Sequence, residues 1–431
     1  MEEKQKRIMI LGASALQVPA IKKAKELGYE VILVDYDENA VGFALADVKL
    51  VVSTLDQDEV YRQALIYQPD VVLTSTSDGP VRTAAYVNEK LGKRPDLSYE
   101  NAQCATIKSR MRDRLKENGV PIPEYYAAGD YGTFAEAVGK LKGNCIVKPA
   151  DNAGSRGVVL LEAAGVGNGV CARMEGAGRE SGYGARPAGG NGRPHDSREV
   201  YDYSRAHSRN GIVMVEEYMQ GPEVSVEAIV VEKEPHILAV TDKYITPPPY
   251  FVELAHCEPS GLDEGTQERI RAVAKQAIAA IGIENAPAHV EIKVTEEGPK
   301  IVELAARLGG DFITSKLVPL STGIDMVGAS VELATGKTPD LLPKRQRGAA
   351  IHFIHAKQGY EGILKEITVP EALYKTEGVK EISLYKTAGE HVQGTRSSND
   401  RLGHVITTGR MREQAMELGK RVMSQISVVL S

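Results

Sequence analysis

Hydrophobic and polar positions along the first hundred residues follow two alternating periodicities. Short apolar runs at residues 7–12, 30–36, 48–52 and 69–74 are typical of buried strands. Residues 16–27 repeat their apolar side chains with a helical period, and a further helical segment precedes residue 69. Strands that alternate with helices predict a parallel sheet, so we expect an α/β domain at the N-terminal end.

The rest of the chain predicts helices and strands in mixed order. Helical segments are predicted at 98–117, 200–208, 267–282 and, for the most part, 310–335. Strands are predicted at 144–149, 157–162, 211–218, 223–231, 287–294 and 300–304. Residues 337–347 indicate a linker, and the last 84 residues indicate a small α+β domain that ends in a helix from Met411.

Residues 162–199 fit neither periodicity. These 38 residues contain 10 of the 42 glycines and 5 arginines, and they contain no Ile, Leu, Phe or Lys. Such a segment lacks the apolar surface that would offset its ordering entropy, so we expect a flexible insert. Its arginines could contact a phosphate. The alternative is a mobile loop that takes no part in binding or catalysis.

Composition narrows the class of protein. The chain has 431 residues and a formal net charge of -6, a mild acidity that excludes a dominant, charge-driven binder of nucleic acid or membranes. No apolar stretch approaches the ~18 residues of a membrane helix, and the charged residues 1–7 do not resemble a secretion signal. The cysteines, at positions 104, 145, 171 and 257, lack metal-binding spacing, so we expect reduced thiols in a cytoplasmic protein.

The first strand ends in the turn GASALQ at residues 12–17, which keeps only the first glycine of the dinucleotide-binding pattern GxGxxG. Asp35 ends the second strand, where such a fold would bind ribose. Because the other glycines are missing, we favour a Rossmann-like domain with a structural or substrate-binding role over a NAD site.

The most informative stretch is HVEIKVTEEGPKIVELAAR at residues 289–307. Two strand-like runs flank the turn signal EEGP, and a hairpin centred on residue 297 pairs Val290 with Leu304 and Ile292 with Val302 on an apolar face. The same register sets Glu291 opposite Glu303 on the other face.

Two carboxylates opposite each other on neighbouring strands repel and destabilise a hairpin. A Mg²⁺ ion between Glu291 and Glu303 would reverse that argument, because Mg²⁺ prefers one or two carboxylates together with nucleotide phosphates. Lys293 and Arg307 extend this face and could neutralise phosphate charge. The alternative is a solvent-facing strand pair with scattered charges.

Other segments carry weaker signals. Lys148 ends a strand just before the small polar loop 150–157, where an ammonium and backbone amides could contact phosphates. Residues 215–223 could offer backbone groups to a purine edge and Glu223 to ribose hydroxyls. Residues 251–260, rich in turn residues, indicate either a ligand-binding loop or a structural histidine.

Taken in order along the chain, several segments resemble the ATP-grasp superfamily: Lys108, Lys148, GSRG at 154–157, EEYMQGPE at 216–223, HVEIK at 289–293 and ELAARLGG at 303–310. The resemblance covers essentially the whole chain and implies an α/β and α+β architecture. It implies a Rossmann-like N-terminal domain at 1–97, an ATP-grasp core at 98–340 and a small α+β C-terminal domain at 341–431. A mobile lid would span about residues 120–215 and include the insert.

The resemblance also implies roles for individual residues. The phosphates and base of ATP would be bound by Lys108 and Lys148, and the γ-phosphate would be covered by Gly154, Ser155 and Gly157. The adenine hinge would be formed by Glu216, Glu217, Tyr218 and Met219, and ribose would be held by Glu223. Mg²⁺, or Mn²⁺ in its place, would be bound by Glu291 and Glu303. Catalysis would rest on Arg307 and Lys148.

Within the superfamily, FVELAHCEPS, RLGGDFI and SSNDRLGHVITTG resemble the L-amino acid ligase group of carboxylate–amine ligases. The substrate would lie near Glu253, His256, Arg307, Gly309 and Gly310. The chain departs from the superfamily pattern at Ala305, where an Asn metal ligand is usual, and from the group pattern at Ala255, where a Gly is usual. Ala305 removes a usual ligand of a second Mg²⁺. Ala255 changes the segment from which the roles of Glu253 and His256 are inferred.

The resemblance implies an ATP-dependent ligase that joins a small carboxylate and an amine, both amino-acid-like, through an acyl phosphate, with release of ADP and phosphate. We expect no nucleic-acid or membrane partner and a possible homodimer. The alternatives are a purine-pathway or carbamoyl-phosphate-type ligase, a nucleotide-binding protein without turnover and a NAD-dependent oxidoreductase.

Overall fold

The computed structural model of the chain describes residues 5–93, 96–152, 154, 156–163, 196–248, 250–356 and 360–431. The first strands are β1 (Arg7–Leu11), β2 (Glu30–Asp35), β3 (Val48–Val51) and β4 (Val71–Leu73). They form a parallel sheet in the order β3-β2-β1-β4, as the alternating pattern predicts. The accompanying helices are α1 (Val18–Glu26), α2 (Gln57–Tyr67) and α3 (Gly79–Lys90).

The turn after β1 is held by Asp35 at the end of β2. The Asp35 carboxylate accepts hydrogen bonds from the backbone amides of Ala13, at 2.7 Å, and Asp37, at 3.0 Å. Both carboxylate oxygens therefore stabilise the local backbone, which favours the structural role of this turn over a ribose contact.

The single helix predicted at 98–117 is wrong, because two helices stand there: α4 (Tyr99–Cys104) and α5 (Lys108–Glu117). Ile107 separates them with an extended backbone, at φ -117° and ψ 109°. Apolar periodicity does not reveal this short break, because Met111 and Leu115 continue a buried face. The break makes Lys108 the first residue of α5, and its amide donates to the carbonyl of Ala150 at 2.8 Å.

A second, antiparallel sheet follows. Its strands are β5 (Tyr125–Ala128), β6 (Cys145–Pro149), β7 (Val159–Leu161) and β8 (Val213–Glu217). Their order is β5-β8-β6-β7, and helices α6 (Tyr131–Leu141) and α7 (Ser197–Ala206) share its apolar core. Residues 164–195, which hold most of the predicted insert, lie outside the described residues.

The next elements begin a large antiparallel sheet. They are β9 (Glu223–Val231), β10 (Glu234–Ile245), β11 (Glu253–Glu258), α8 (Glu264–Ile281), β12 (Pro287–Thr295) and β13 (Gly298–Ala305). Of the two alternatives for residues 251–260, the ligand-binding loop is wrong over residues 253–258, because β11 pairs there with β10.

The C-terminal part contributes to the same sheet. Its strands are β14 (Gly348–Ile354), β15 (Gly362–Thr368), β16 (Val379–Leu384), β17 (His391–Val392), β18 (Gly403–Gly409) and β19 (Ser427–Leu430). The large sheet has the order β13-β12-β9-β10-β11-β14-β18-β16, so it runs across the boundary predicted at residue 340. A small sheet has the order β17-β15-β19, and helices α11 (Glu371–Tyr374) and α12 (Arg412–Met423) complete this part.

Residues 310–335 are helical for the most part, as predicted, but in three pieces. A π-helical turn covers Ile313–Leu317 and runs into α9 (Val318–Thr322), and α10 (Met326–Ala334) follows a left-handed Gly323. Over the described residues no single helix has the length and apolarity to cross a membrane. Residues 313–322 and 326–334 meet those criteria only together, as a pair bent by 114°.

The two faces of the large sheet differ in chemistry. Along β9, Glu223, Ser225 and Glu227 alternate with apolar residues that share a core with α8. The neighbouring strands continue the polar face, because Lys243 and Lys293 pair with Glu223 and Glu291 pairs with Ser225. The sheet therefore presents a row of buried and half-buried charged side chains opposite its apolar core.

The hairpin formed by β12 and β13 confirms the central prediction of its register. Val290 lies opposite Leu304, and Glu291 lies opposite Glu303. The predicted pairing of Ile292 with Val302 is wrong, because a bulge after Glu291 shifts the register and Ile292 faces Ile301. A bulge places an extra residue on one strand, which alternation alone does not reveal.

Candidate functional site

A cleft separates the β5–β8 sheet from the polar face of the large sheet. It brings together most of the predicted site residues: Lys108, Lys148, Gly154, Glu216, Glu217, Tyr218, Met219, Glu223, Glu253, Glu291 and Glu303. Among the described residues, its lining does not include Gly157, His256, Arg307, Gly309 or Gly310. A concave site lined by convergent charged groups is the usual form of a ligand site.

At one end of the cleft Glu216 joins two buried cations. Its carboxylate contacts Lys148 Nζ at 2.7 Å, and Arg112 Nε at 2.8 Å. Arg112 also donates to the carbonyls of Ile301 and Val302, which ties α5 to β13. Burial by itself would raise the pKa of Glu216, but Arg112 and Lys148 lower that pKa to about 2. The Glu216 side chain thus positions Lys148, and only its backbone remains suited to an adenine hinge.

We expect Glu216→Gln to destabilise the fold by about 3–5 kcal/mol, because it leaves Arg112 and Lys148 buried without a counter-ion. Glu217→Gln is the matched control, since the Glu217 side chain is 42% exposed and its contact with Lys300 is 3.5 Å long. Denaturant unfolding of both variants measures the difference. Equal stabilities of the two variants would contradict a structural role for the Glu216 carboxylate.

The segment predicted as the adenine hinge, Glu216–Met219, includes the last two residues of β8 and the two residues that follow it. The amide of Tyr218 already donates to the carbonyl of Asn144 at 3.2 Å, and the amide of Glu217 donates to Glu124 at 2.8 Å. The ring of Tyr218 lies 6.1 Å from that of Phe251, which also lines the cleft. This end of the cleft is therefore partly apolar and flanked by aromatic rings.

Lys108 also lines the cleft. Its ammonium donates to Glu303 Oε1 at 2.6 Å and to the carbonyl of Asn152 at 2.7 Å. Burial lowers the pKa of Lys108, but the carboxylates of Glu303, Asp78 and Glu216 together outweigh burial, and the net shift is upward. The ion pair links α5 to β13, and the Lys108 side chain is buried.

Glu291 is held by two partners on the polar face. Its carboxylate contacts Lys243 Nζ at 3.0 Å and His289 Nε2 at 3.3 Å. The other ring nitrogen of His289 contacts Glu227 at 2.6 Å. Burial opposes protonation of His289, but Glu227 and Glu291 raise its pKa to about 9. Glu227 therefore positions His289, and His289 in turn orients the Glu291 carboxylate.

Glu291 and Glu303 suit a divalent cation that shares its coordination with phosphates. Over the described residues no three His, Cys, Asp or Glu side chains are arranged to hold a metal by themselves. Two opposed carboxylates instead suit a Mg²⁺ that would complete its shell with phosphate oxygens. The cations Lys108 and Lys243 balance the two carboxylates in the described arrangement.

Glu223, the predicted ribose contact, lies between two lysines. Its carboxylate contacts Lys243 at 2.7 Å and Lys293 at 2.9 Å. Burial raises the pKa of Glu223, but the two ammonium groups outweigh burial and the net shift is downward. The Glu223 carboxylate lines the cleft in its ionised form, which can accept a hydrogen bond from a hydroxyl.

Arg307 lies just after β13 and reaches the N-terminal domain. Its guanidinium makes a bidentate contact with Asp78, at 2.8 Å and 3.1 Å, and donates to the carbonyl of Leu308. Asp78 precedes α3 but leaves the helix uncapped by its side chain. Burial opposes both charges, and the ion pair outweighs it, so the pKa of Asp78 falls and that of Arg307 rises.

The predicted substrate residues Glu253 and His256 meet around Arg401. Arg401 contacts Asp311 at 2.6 Å and Glu253 at 2.9 Å, and its guanidinium lies 3.7 Å from the centre of the Phe353 ring. His256 Nε2 contacts the same Asp311 at 3.2 Å. This cluster joins β11, the segment after β13 and the C-terminal part beside the cleft.

The predicted glycines differ in how tightly they are enclosed. A Cβ at Gly309 would come within 2.7 Å of His289 Nδ1, and one at Gly157 would come within 2.7 Å of His207. Gly154 and Gly157 have φ values of 70° and 79°, which favour glycine. A Cβ at Gly310 meets nothing within 4 Å. Ser155 lies outside the described residues.

Glu258 is a buried carboxyl on β11 whose pKa gives a pH prediction. Burial raises the pKa of Glu258 to about 8, and its Oε1 accepts a hydrogen bond from Thr241. Between pH 4.5 and 8 the unfolded chain ionises this group while the folded chain keeps it protonated. The stability that the neutral form contributes is thus complete below pH 4.5 and is lost as the pH rises to 8.

We therefore expect Glu258→Gln, which mimics the protonated acid, to gain stability over the parent protein by about 1.4 kcal/mol per pH unit across that interval. Thermal unfolding of both proteins from pH 5 to pH 8.5 measures the difference, because all other titrating groups are shared. Parallel curves would show that Glu258 ionises normally.

Several site residues escaped sequence reasoning. They are Asp78, Arg112, Glu227, Lys243, Asp311 and Arg401. Two of them carried a signal: Arg112 lies one turn after Lys108 on α5, and Glu227 shares the alternating polar face of β9 with Glu223. The others depend on contacts between distant segments.

Two family models match the chain. An ATP-grasp domain matches residues 195–315, and L-amino acid ligase C-terminal domain 2 matches residues 353–431. Among curated proteins, the alanine–anticapsin ligase of Bacillus subtilis (strain 168) is 26% identical over 298 residues, which cover 66% of this chain and 58% of that protein. An L-arginine-specific L-amino acid ligase of Bacillus subtilis is 22% identical and is matched over 76% of this chain and 72% of that protein.

The chain spans 58% of the length of the alanine–anticapsin ligase and 64% of the length of another curated relative. Among solved structures, an L-amino acid ligase from Bacillus licheniformis superposes with a TM-score of 0.78 at 20% identity, over 100% of both chains. A phosphoribosylglycinamide synthetase from Anaerococcus prevotii superposes with a TM-score of 0.72 at 20% identity, over 99% of this chain and 100% of that one. The predicted resemblance is thus confirmed: the chain has the ATP-grasp fold, with an ATP-grasp domain and an L-amino acid ligase C-terminal domain.

Proposed function

We propose that the protein is an ATP-dependent carboxylate–amine ligase that forms an amide bond between two amino-acid-like substrates through an acyl phosphate. The observation that carries the proposal is the opposed pair Glu291 and Glu303, at the point where buried lysines converge on one cleft. A metal-binding carboxylate pair beside several cations suits transfer of a phosphoryl group, because that transfer concentrates negative charge.

ATP would lie between the β5–β8 sheet and the large sheet. Its adenine would reach Glu217–Met219, its ribose Glu223, and its phosphates Lys108 and Lys148. Glu291 and Glu303 would hold Mg²⁺, which neutralises phosphate charge when it is bound. Gly154, which lines the cleft, and Gly157 would cover the γ-phosphate.

The reaction would proceed in two displacements. A carboxylate oxygen of the first substrate attacks the γ-phosphorus, the bond to ADP breaks, and an acyl phosphate forms. The amine of the second substrate then attacks the acyl carbon, and phosphate leaves. Arg307 would stabilise the charge on the transferring group, because a buried guanidinium strengthens electrostatic contacts in a site that excludes water.

Amino-acid-like substrates are supported by the cluster of Glu253, His256, Asp311 and Arg401 beside the cleft. Carboxylates such as Glu253 suit a substrate ammonium group, and the matched C-terminal domain, to which Arg401 belongs, is that of L-amino acid ligases. The curated relatives named alanine–anticapsin ligase and L-arginine-specific L-amino acid ligase agree with this class.

Phosphate release from ATP and Mg²⁺, with the twenty amino acids singly and in pairs, tests the proposal. We expect release that requires two amino acids and a product with the mass of their dipeptide. Release with one amino acid and no dipeptide would contradict amide formation between amino acids. No release with any pair would overturn the proposed substrate class.

A further inference from the structure

A second cleft lies beside the first, between the N-terminal domain and the β5–β8 sheet. We call it the N-terminal cleft. Its lining includes Ser77, Asp78, Gly79, Arg82 and Arg209. Lys108, Gly154 and Glu303 line both clefts. A molecule in the N-terminal cleft could therefore extend to the opposed carboxylates and to the Arg307–Asp78 pair.

The acidic groups of the N-terminal cleft already have partners. Asp78 is paired with Arg307, and Glu303 is paired with Lys108. Asp151 accepts hydrogen bonds from the amides of Arg209 and Asn210, both at 2.9 Å. These carboxylates are thus already engaged with groups of the protein.

Two arginines of the cleft have no such partner. Over the described ranges, neither the Arg82 nor the Arg209 guanidinium makes an ion pair or a side-chain hydrogen bond. Arg82 Nε is inaccessible to solvent and lacks a hydrogen-bond partner. A buried donor without a partner is costly, and the cost is larger for a charged group.

The first turn of α3 brings the two arginines together. Arg82 lies three residues after Gly79, on the same side of the helix. Arg209 approaches from the other wall, because a Cβ placed at Gly79 would lie 3.6 Å from Arg209 Nη1. Two cations beside a helix N-terminus form an arrangement that a carboxylate between them would stabilise.

We propose that the N-terminal cleft binds a carboxylate that does not take part in the reaction, through Arg82 and Arg209. This inference rests on the proposed function and specifies its substrates. The carboxylate belongs either to a dicarboxylic acyl donor or to the amino acid that supplies the amine. In either case the reacting group would lie near Glu303, and the non-reacting carboxylate would lie in the N-terminal cleft.

Steady-state kinetics of Arg82→Gln and Arg209→Gln test this inference with the substrate pair found by phosphate release. We expect KM for one substrate to rise about tenfold or more, with kcat and KM for ATP nearly unchanged. The substrate whose KM rises identifies the source of the carboxylate. Arg62→Gln is the matched control, since Arg62 lies on α2 and its side chain is 67% exposed.

An amide analogue of that substrate, with the non-reacting carboxylate replaced, completes the cycle. Its KM should be high in the parent protein and unaffected by Arg82→Gln. An unchanged KM for both substrates in Arg209→Gln, whose exposed side chain poses little risk to folding, would overturn the inference. So would an equal loss for the acid and its amide analogue.

An equilibrium measurement separates this inference from the proposed function. Calorimetric titration with glutarate needs no turnover, and we expect binding to the parent protein that Arg209→Gln weakens about tenfold or more. Glutarate binding that Arg209→Gln weakens, in the absence of any ligase activity, would retain the carboxylate site and reject the ligase. Glutarate that binds the parent and Arg209→Gln equally, or not at all, would reject the site.

Discussion

Glu303→Gln is expected to reduce the rate of phosphate release by about 1,000-fold, the largest effect of any single change in the site. A metal held at this position would supply several kcal/mol of charge stabilisation, and each 1.36 kcal/mol corresponds to a factor of ten in rate. A neutral amide is a weaker ligand for Mg²⁺ than a carboxylate. Substitution of Glu303 also removes the counter-ion of Lys108. The measurement is kcat with saturating ATP and Mg²⁺.

Glu297→Gln is the control for this variant. Glu297 lies in the turn of the same hairpin, 76% of its side chain is exposed, and it pairs only with Lys300 over the part of the chain described. We expect its turnover to match that of the parent protein. Retention of most activity by Glu303→Gln would contradict a role for the opposed carboxylates in phosphoryl transfer.

Arg307→Lys is expected to lower kcat by about 100- to 1,000-fold, the cost typical of removing one donor that stabilises charge in a transition state. Lysine keeps the positive charge but loses the planar, bidentate geometry of the guanidinium. ATP binding, measured by titration with a non-hydrolysable analogue, should change little. The variant would then bind the nucleotide but transfer its phosphoryl group slowly.

Asp78→Asn distinguishes this role from a purely structural one. Arg307 ties the large sheet to the N-terminal domain through Asp78, so either substitution weakens that link. If Arg307 stabilises transferring charge, Asp78→Asn should cost much less activity than Arg307→Lys. Equal losses of activity in the two variants would mean that Arg307 only links the large sheet to the N-terminal domain.

Local pattern was sufficient for the elements that carry most of the candidate site. Alternation placed Glu291 opposite Glu303, and the order of strands and helices predicted the parallel N-terminal sheet. The failures came from backbone irregularities that periodicity does not encode. The bulge after Glu291 and the extended Ile107 both interrupt segments whose apolar positions continue on either side.

Long-range ion pairs could not be predicted from local pattern. Arg307 and Asp78 are 229 residues apart, and Arg401 and Asp311 are 90 residues apart. Each residue by itself looks like a solvated charge, and its role depends on which segments the fold brings together. The sequence suggested Glu216 as a nucleotide contact, whereas its carboxylate is committed to Arg112 and Lys148.

Transfer of ¹⁸O from a labelled carboxylate substrate to phosphate tests the central claim most directly. An acyl-phosphate route requires one carboxylate oxygen to attack the γ-phosphorus and to leave with it when the amine attacks. We therefore predict one ¹⁸O atom in each phosphate released during amide formation, detected by mass spectrometry. Amide formation with unlabelled phosphate would contradict an acyl phosphate and the roles assigned to Glu291, Glu303 and Arg307.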